Sequence, residues 1–188
     1  KKHFADGTFV PGQQFFFSFD HIGNRTSSTI GGTETGGSSG SSTYQTITNK
    51  LNQYVRKYGV PGYNILGTAH PGSNVVVNGS SVNYRRGEYF WKWMSVTNST
   101  SPRWLPVEVT SGSQTNTGNV FMPGRPELFT YDLDGNMLSD GRWNYTWDAE
   151  NRLTSMTDNT TCTNDVPKRI VFEYDYLGRR IAKKVWNN

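Results

Sequence analysis

The stretch F129-T-Y-D-L-D-G-N-M137 decides how the chain is read, because close relatives of it recur at F17-S-F-D-H-I-G-N-R25, Y145-T-W-D-A-E-N-R-L153 and F172-E-Y-D-Y-L-G-R-R180. Aligned on aspartate, the copies share an aromatic, a variable residue, a second aromatic, Asp, two variable residues and then Gly or Asn. The ring pairs are Phe17 with Phe19, Phe129 with Tyr131, Tyr145 with Trp147 and Phe172 with Tyr174. A spacing of two places both rings of a pair on one face of an extended strand. The aspartates that follow, Asp20, Asp132, Asp148 and Asp175, are the residue type that opens a type I turn by accepting backbone N–H bonds two residues on. Three positions later stand Gly23, Gly135, Asn151 and Gly178, which tolerate the positive φ with which such a turn rejoins its second strand. Each copy therefore predicts a strand, a tight turn and a returning strand.

Four copies of this pattern resemble the tyrosine-aspartate (YD) repeats of the bacterial RHS, or rearrangement-hotspot, family. The stretches GNMLSDGRWNYTWDAENRLTSM, FDHIGNRTSS and LNQYVRKYGVPGYNILGTAHPGSNVVVNG strengthen the likeness. The resemblance implies a spiralling β-strip, often part of a shell around a C-terminal toxin. The chain stops as a repeat finishes and begins without Met or an apolar signal segment, so it reads as a processed or excised piece. The family's self-cleaving protease and its toxin lie beyond such repeats, and neither activity is carried over.

Composition agrees with an all-β protein. The 188 residues include 20 Gly and 14% aromatic residues, and no long stretch has helical periodicity. The nearest to a helix is TITNKLNQYVRKYG, at 46–59, whose β-branched and Asn positions work against one. Residues 1–30 hold the N-terminal strands and the first repeat. The Gly/Ser/Thr-rich 31–43 reads as a flexible linker or a long hairpin tip, and 44–60 as a connecting segment. Residues 61–122 carry no repeat but have short strands and the turn signal Asn78-Gly79. GTAHPGSNVVVNG resembles the start of bacterial immunoglobulin-like modules, so this block reads as a small inserted β-sandwich. Residues 123–188 supply the last three repeats.

Catalytic chemistry finds little support. Asp132, Asp134 and Asn136 begin like a calcium loop, but Met137 stands where Gly is needed and Trp143 where the bidentate Glu belongs. A residue that recurs at each turn start reads as structural. His3, His21 and His70 are scattered, and the lone Cys162 has neither a disulfide partner nor a metal-ligand neighbour. The expectation is no enzyme, no metal and no cofactor. A net charge of +4 is modest, and Lys168, Arg169, Arg179, Arg180, Lys183 and Lys184 read as a solvated strand edge rather than a nucleic-acid site. No run of residues approaches the length of a membrane span.

Three functional classes remain. A strip cut from a longer spiral leaves unpaired edges, which predicts a subunit of a head-to-tail homopolymer, with a contact strand around Phe9, Phe15, Phe16, Phe17 and Phe19. A segment of a larger shell is the alternative. The third is a carbohydrate-binding module, with Tyr89, Trp91 and Trp93 on one strand face as a glycan platform; packing of that face into a core, leaving Phe90, Lys92 and Met94 outward, is the competing reading. Sequons at Asn24, Asn78, Asn98, Asn144 and Asn159 allow covalent glycans on a secreted or cell-surface protein.

Overall fold

The computed structural model describes residues 1–59, 62–97, 100–158 and 168–187. As composition predicts, the protein is all-β: the described strands form four antiparallel sheets, and no helix occurs among the described residues. None is therefore long and apolar enough to cross a membrane. Contacts divide the chain into two compact units, Lys1–Ile47 with Tyr58–Asn98 and Leu105–Val120, and Thr48–Lys57 with Ser99–Trp104 and Phe121–Asn188. The block 61–122 thus falls mostly in one unit with the N-terminal strands.

In the first unit, β1 (Gln14–Phe19) and β2 (Arg25–Gly31) form the first hairpin, and β3 (Ser41–Thr48) pairs with β2. Residues 32–40 connect them as a hairpin tip bonded to itself: Gly36 N–H donates to Thr33 O, and Thr33 N–H to Gly37 O. A free linker would leave those groups to water. After β3 the chain passes into the second unit, turning through 49–53 into β4 (Tyr54–Gly59), of which Tyr54–Lys57 belong to that unit. Residues 46–59, the stretch nearest to a helical pattern, are thus strand, turn and strand, as their β-branched and Asn positions favour.

The rest of this unit comes from β5 (Gly62–Thr68), β6 (Val75–Val77), β7 (Ser80–Ser81), β8 (Tyr84–Arg86), β9 (Tyr89–Ser95) and most of β10 (Arg103–Ser111) and β11 (Gln114–Met122), of which Arg103, Trp104, Phe121 and Met122 belong to the second unit. One sheet runs β5-β9-β8 and another β11-β10-β6-β7. Asn78 and Gly79 close β6 onto β7 with φ of 47° and 73°, the two positive values that a two-residue hairpin of right-handed twist requires. Between these sheets Val75, Val77, Phe90 and Val107 are buried, flanked by Tyr63, Ile65, Val82, Met94 and Val109.

Strand β9 is covered on both faces. Phe90 (4% exposed) and Met94 point into the valine core, while Trp91 (5% exposed) packs on the opposite side. There the Trp91 Nε1 donates to Asn64 Oδ1 at 2.6 Å. A Cβ at Gly12 would stand 2.5 Å from the Trp91 ring, and φ at Gly12 is +76°. The chain comes this close to the indole only because that position is glycine.

The second unit holds β12 (Glu127–Leu128), which pairs with β4 through Glu127 opposite Lys57 and Leu128 opposite Arg56. It then holds β13 (Thr130–Tyr131), β14 (Met137–Ser139), β15 (Trp143–Trp147), β16 (Leu153–Asp158), β17 (Lys168–Tyr174) and β18 (Arg180–Asn187), one six-stranded sheet in sequence order. Few of its side chains are fully buried; Phe172, at 7% exposed, is one that is.

Candidate functional site

Each repeat turn is organised by its aspartate in the same way. Asp148 Oδ1 accepts the backbone N–H of Glu150 at 2.9 Å and of Arg152 at 3.0 Å, and its Oδ2 accepts Arg152 Nε at 2.7 Å. Asp175 repeats the set with Leu177 N–H and Arg179 N–H, both at 2.9 Å, and Arg179 Nε at 2.8 Å. Asp20 takes the N–H groups of Ile22 and Asn24 and the Asn24 side-chain amide. Asp132 takes both the backbone and the side chain of Asn136. The loops close with the residue three on donating its N–H to the Asp carbonyl, at 3.0–3.3 Å. Gly23, Gly135, Asn151 and Gly178 occupy that position with φ of 93°, 89°, 57° and 75°. A register shift falls immediately before each Asp, so that Phe19 pairs with Arg25, Tyr131 with Met137, Trp147 with Leu153 and Tyr174 with Arg180.

These bonds hold all four carboxyls below their usual range. At Asp148 and Asp175 the backbone N–H groups of Arg152 and Arg179 contribute most. At Asp20 and Asp132 partial desolvation pushes the other way, and the bonds from Asn24 and Asn136 outweigh it. Carboxylates engaged in this manner are acceptors already in use, which suits turns rather than proton transfer.

Two parts of the arrangement escape the sequence pattern. The first is the residue four after the Asp, which supplies both a backbone and a side-chain donor: Asn24, Asn136, Arg152 and Arg179. The second is a further turn of the same kind at Asn49. Its Oδ1 accepts Leu51 N–H at 2.9 Å and Gln53 N–H at 3.0 Å, Asn52 stands three residues on with φ of 62°, and the Asn49 and Gln53 amides bond at 2.7 Å. A neutral Asn replaces the second oxygen by an N–H group, so the partner must accept, and Gln53 does. The signal was N-x-x-N; Thr46 and Thr48 in place of the rings hid it.

Within the second unit, successive turns are joined. Trp147 Nε1 donates to Met137 O at 2.8 Å, and the Tyr174 hydroxyl to Leu153 O at 2.8 Å. Tyr131 bonds the backbone of Tyr54. In each case the second aromatic of one repeat reaches the residue five after the turn-opening Asp or Asn of the repeat before. Asn136 also donates its side-chain amide to Asn151 Oδ1 at 2.7 Å, and the Arg152 guanidinium lies 5.2 Å over the Tyr174 ring. A second knot surrounds Arg142, whose guanidinium lies within 4.8–5.1 Å of the Trp104, Phe121 and Trp143 ring centres. Beside it the Tyr145 hydroxyl donates to Asp140 Oδ2 at 2.6 Å.

The other candidate residues are distributed as follows. Tyr89, Trp91 and Trp93 do not form an open platform. The Tyr89 hydroxyl donates to Pro11 O, burial pushes its pKa up to about 12, and Trp91 is enclosed. The expectation that Phe90 and Met94 face outward is corrected as well, since a strand lying between two packed layers is buried on both faces. Phe15, Phe16, Phe17 and Phe19 are exposed along β1, with Lys1 over Phe16 and Arg25 over Phe17. Phe9 is half-buried against the His3 ring, and its backbone N–H donates to Glu34 O at 3.2 Å. Of the sequons, Asn24 and Asn78 spend their side-chain amides on Asp20 and on Pro106 O, and Asn144 is exposed in β15. Asn98 and Asn159, like Cys162, lie outside the described residues. Among the described residues, no three His, Cys, Asp or Glu side chains converge as metal ligands.

The chain is similar over part of its length to much larger proteins. It is 44% identical over 62 residues to the tRNA3(Ser)-specific nuclease WapA of Bacillus spizizenii, and 44% identical over 59 residues to the tRNA nuclease WapA of Bacillus subtilis (strain 168). The matches cover 33% and 31% of this chain and 2% of each relative. No protein-family model matches the chain.

Proposed function

We propose that this chain is an architectural segment of a larger bacterial YD-repeat protein of the RHS type, contributing wall to an extracellular β-strip rather than chemistry. The hairpin strip would carry, beside it in sequence, a two-sheet module of immunoglobulin-like character. The observation that carries the reading is the repeated junction, in which Trp147 and Tyr174, the second aromatics of the last two repeats, each donate to the backbone of the repeat before. A junction that is the same from one repeat to the next suits a structure that grows by adding repeats. The comparisons support it in kind, because a stretch of some 60 residues amounting to 2% of a relative fits a scaffold element of a very long chain. The nuclease activity that those relatives' names state stays with them.

No cofactor or nucleic-acid partner is invoked. The basic residues of the last hairpin are largely engaged within it: Arg179 on Asp175, Lys184 on Glu173 and Arg180 over the Phe172 ring. The head-to-tail homopolymer has less behind it, since the exposed edges suit a covalent neighbour as well as an identical copy. Sedimentation velocity over a wide concentration range separates the two. A segment gives one discrete species whether or not residues 1–16 are present. Growth with concentration that vanishes on deleting 1–16 would establish the polymer instead.

A further inference from the structure

The two packed sheets of the first unit change character at one end. Within the layer the inward side chains are apolar, with Ile65 on β5, Val109 on β10 and Val120 on β11 packed against the valine cluster. At even spacing along the same strand faces stand Gly67 on β5, Ser111 on β10, and Asn116 and Gln114 on β11. Ser111 is paired with the buried Val75, and Gly67 with the buried Phe90, so both positions look into the layer. An end that only needed closing would gain more burial from apolar side chains at these places.

These residues surround a cavity of about 540 Å³ with Phe90 and Val109 at its base. Its remaining wall is the loop after β5, which Arg85 fixes by donating from Nη2 to Ala69 O at 3.0 Å and to His70 O at 2.6 Å. His70 Nδ1 accepts the N–H of Gly72 at 3.3 Å, so the proton of the neutral ring is on Nε2, which stays a donor. Gln114 and Asn116 are exposed, and each amide can both donate and accept. Among the described residues that line the cavity there is no Lys, Arg, Asp or Glu.

We propose that this cavity binds a neutral carbohydrate of one or two pyranose rings. Its volume is that of a small-ligand pocket, and an apolar base ringed by hydroxyl and amide groups matches a pyranose. The C–H face of the sugar lies on Phe90 and Val109, and its hydroxyls, which need donors and acceptors together, meet Ser111, Gln114, Asn116 and His70 Nε2. A charged ligand would give up hydration there and find no counter-charge. The site lies on the opposite side of β9 from Tyr89, Trp91 and Trp93. It goes beyond the architectural reading and does not depend on it.

The test is a titration of the ¹⁵N-labelled full chain with methyl β-glucopyranoside, methyl β-galactopyranoside and cellobiose, with glucose 6-phosphate as the charged control. At least one neutral sugar is expected to shift the amides of Thr68, His70, Ser73, Gln114 and Asn116, saturating in the millimolar range. Asn116→Ala and Gln114→Ala, both at exposed positions, should each weaken binding about five-fold, the effect of one hydrogen bond. Ser111→Leu, which extends the apolar layer into the cavity, should abolish it while the amides of Val75 and Val77 keep their shifts. Saturation by no neutral sugar, or binding unchanged in all three variants, would overturn the site. Tighter binding of glucose 6-phosphate than of the glucoside would overturn its neutral selectivity. The strip reading stands or falls separately, on sedimentation.

Discussion

The two halves of this protein are stabilised differently. Around Val75, Val77, Phe90 and Val107 two sheets close on an apolar layer from which water is excluded. The six-stranded sheet β13 to β18 has few fully buried side chains, and its most regular features are polar: carboxylates receiving N–H groups at the turns, and ring donors on carbonyls between them. The first region depends on volume, since a removed side chain leaves a cavity. The second depends on direction, since each bond needs its partner in place. Mutations should tell the regions apart by whether size or hydrogen-bonding capacity is what matters.

The largest effect is expected in the core. Phe90→Ala should cost about 4 kcal/mol through lost burial and the cavity left behind, read by chemical denaturation. Asp148→Ala should come next, lowering Tm and loosening the 148–152 turn, because the N–H groups of Glu150 and Arg152 and the Arg152 side chain lose their acceptor together. Tyr174→Phe keeps the ring and removes only the bond to Leu153 O, so about 1 kcal/mol is expected. If Tyr174→Phe proved as costly as Phe90→Ala, the repeat sheet would depend on packing after all.

Acid should act on one region more than the other. The folded pKa values of Asp132, Asp148 and Asp175 lie below the unfolded value of about 3.9. Their contribution is therefore complete above about pH 4 and is lost as the pH falls through the folded values. The turns should loosen there while the valine core persists, which separate probes of Trp147 and Phe90 would show. Asn49→Asp is the smallest change. Gln53 can turn its amide to donate, so stability at neutral pH should barely move, but this turn should acquire the acid dependence of the others.

How far the sequence reveals this architecture differs residue by residue. The turns that open with Asp and carry Gly or Asn three positions on are visible because few residues suit those positions. The Asn49 turn is hidden because Asn accepts the same backbone bonds as Asp with no change in geometry, while threonines replace the rings. The side chain at the fourth position varies between Asn, Gln and Arg, so its shared role appears only when the bonds are seen. The junction bonds join residues 10 and 21 positions apart and leave no local spacing to find. On β9, strict alternation suggested one buried face, but packing from both sides overrode it, as it does for any strand inside a layered structure.

The most direct test of the central claim, that polar junctions hold the repeats as one unit, is residue-resolved hydrogen exchange on the full chain as a function of pH. The amides of Asn136, Arg152 and Arg179, each donating to a turn aspartate, should be protected at neutral pH and lose protection together below about pH 4. The amides of Val75 and Val77 should stay protected there. Turns that open one by one at unrelated pH values, or at neutral pH as readily as an isolated hairpin, would contradict it.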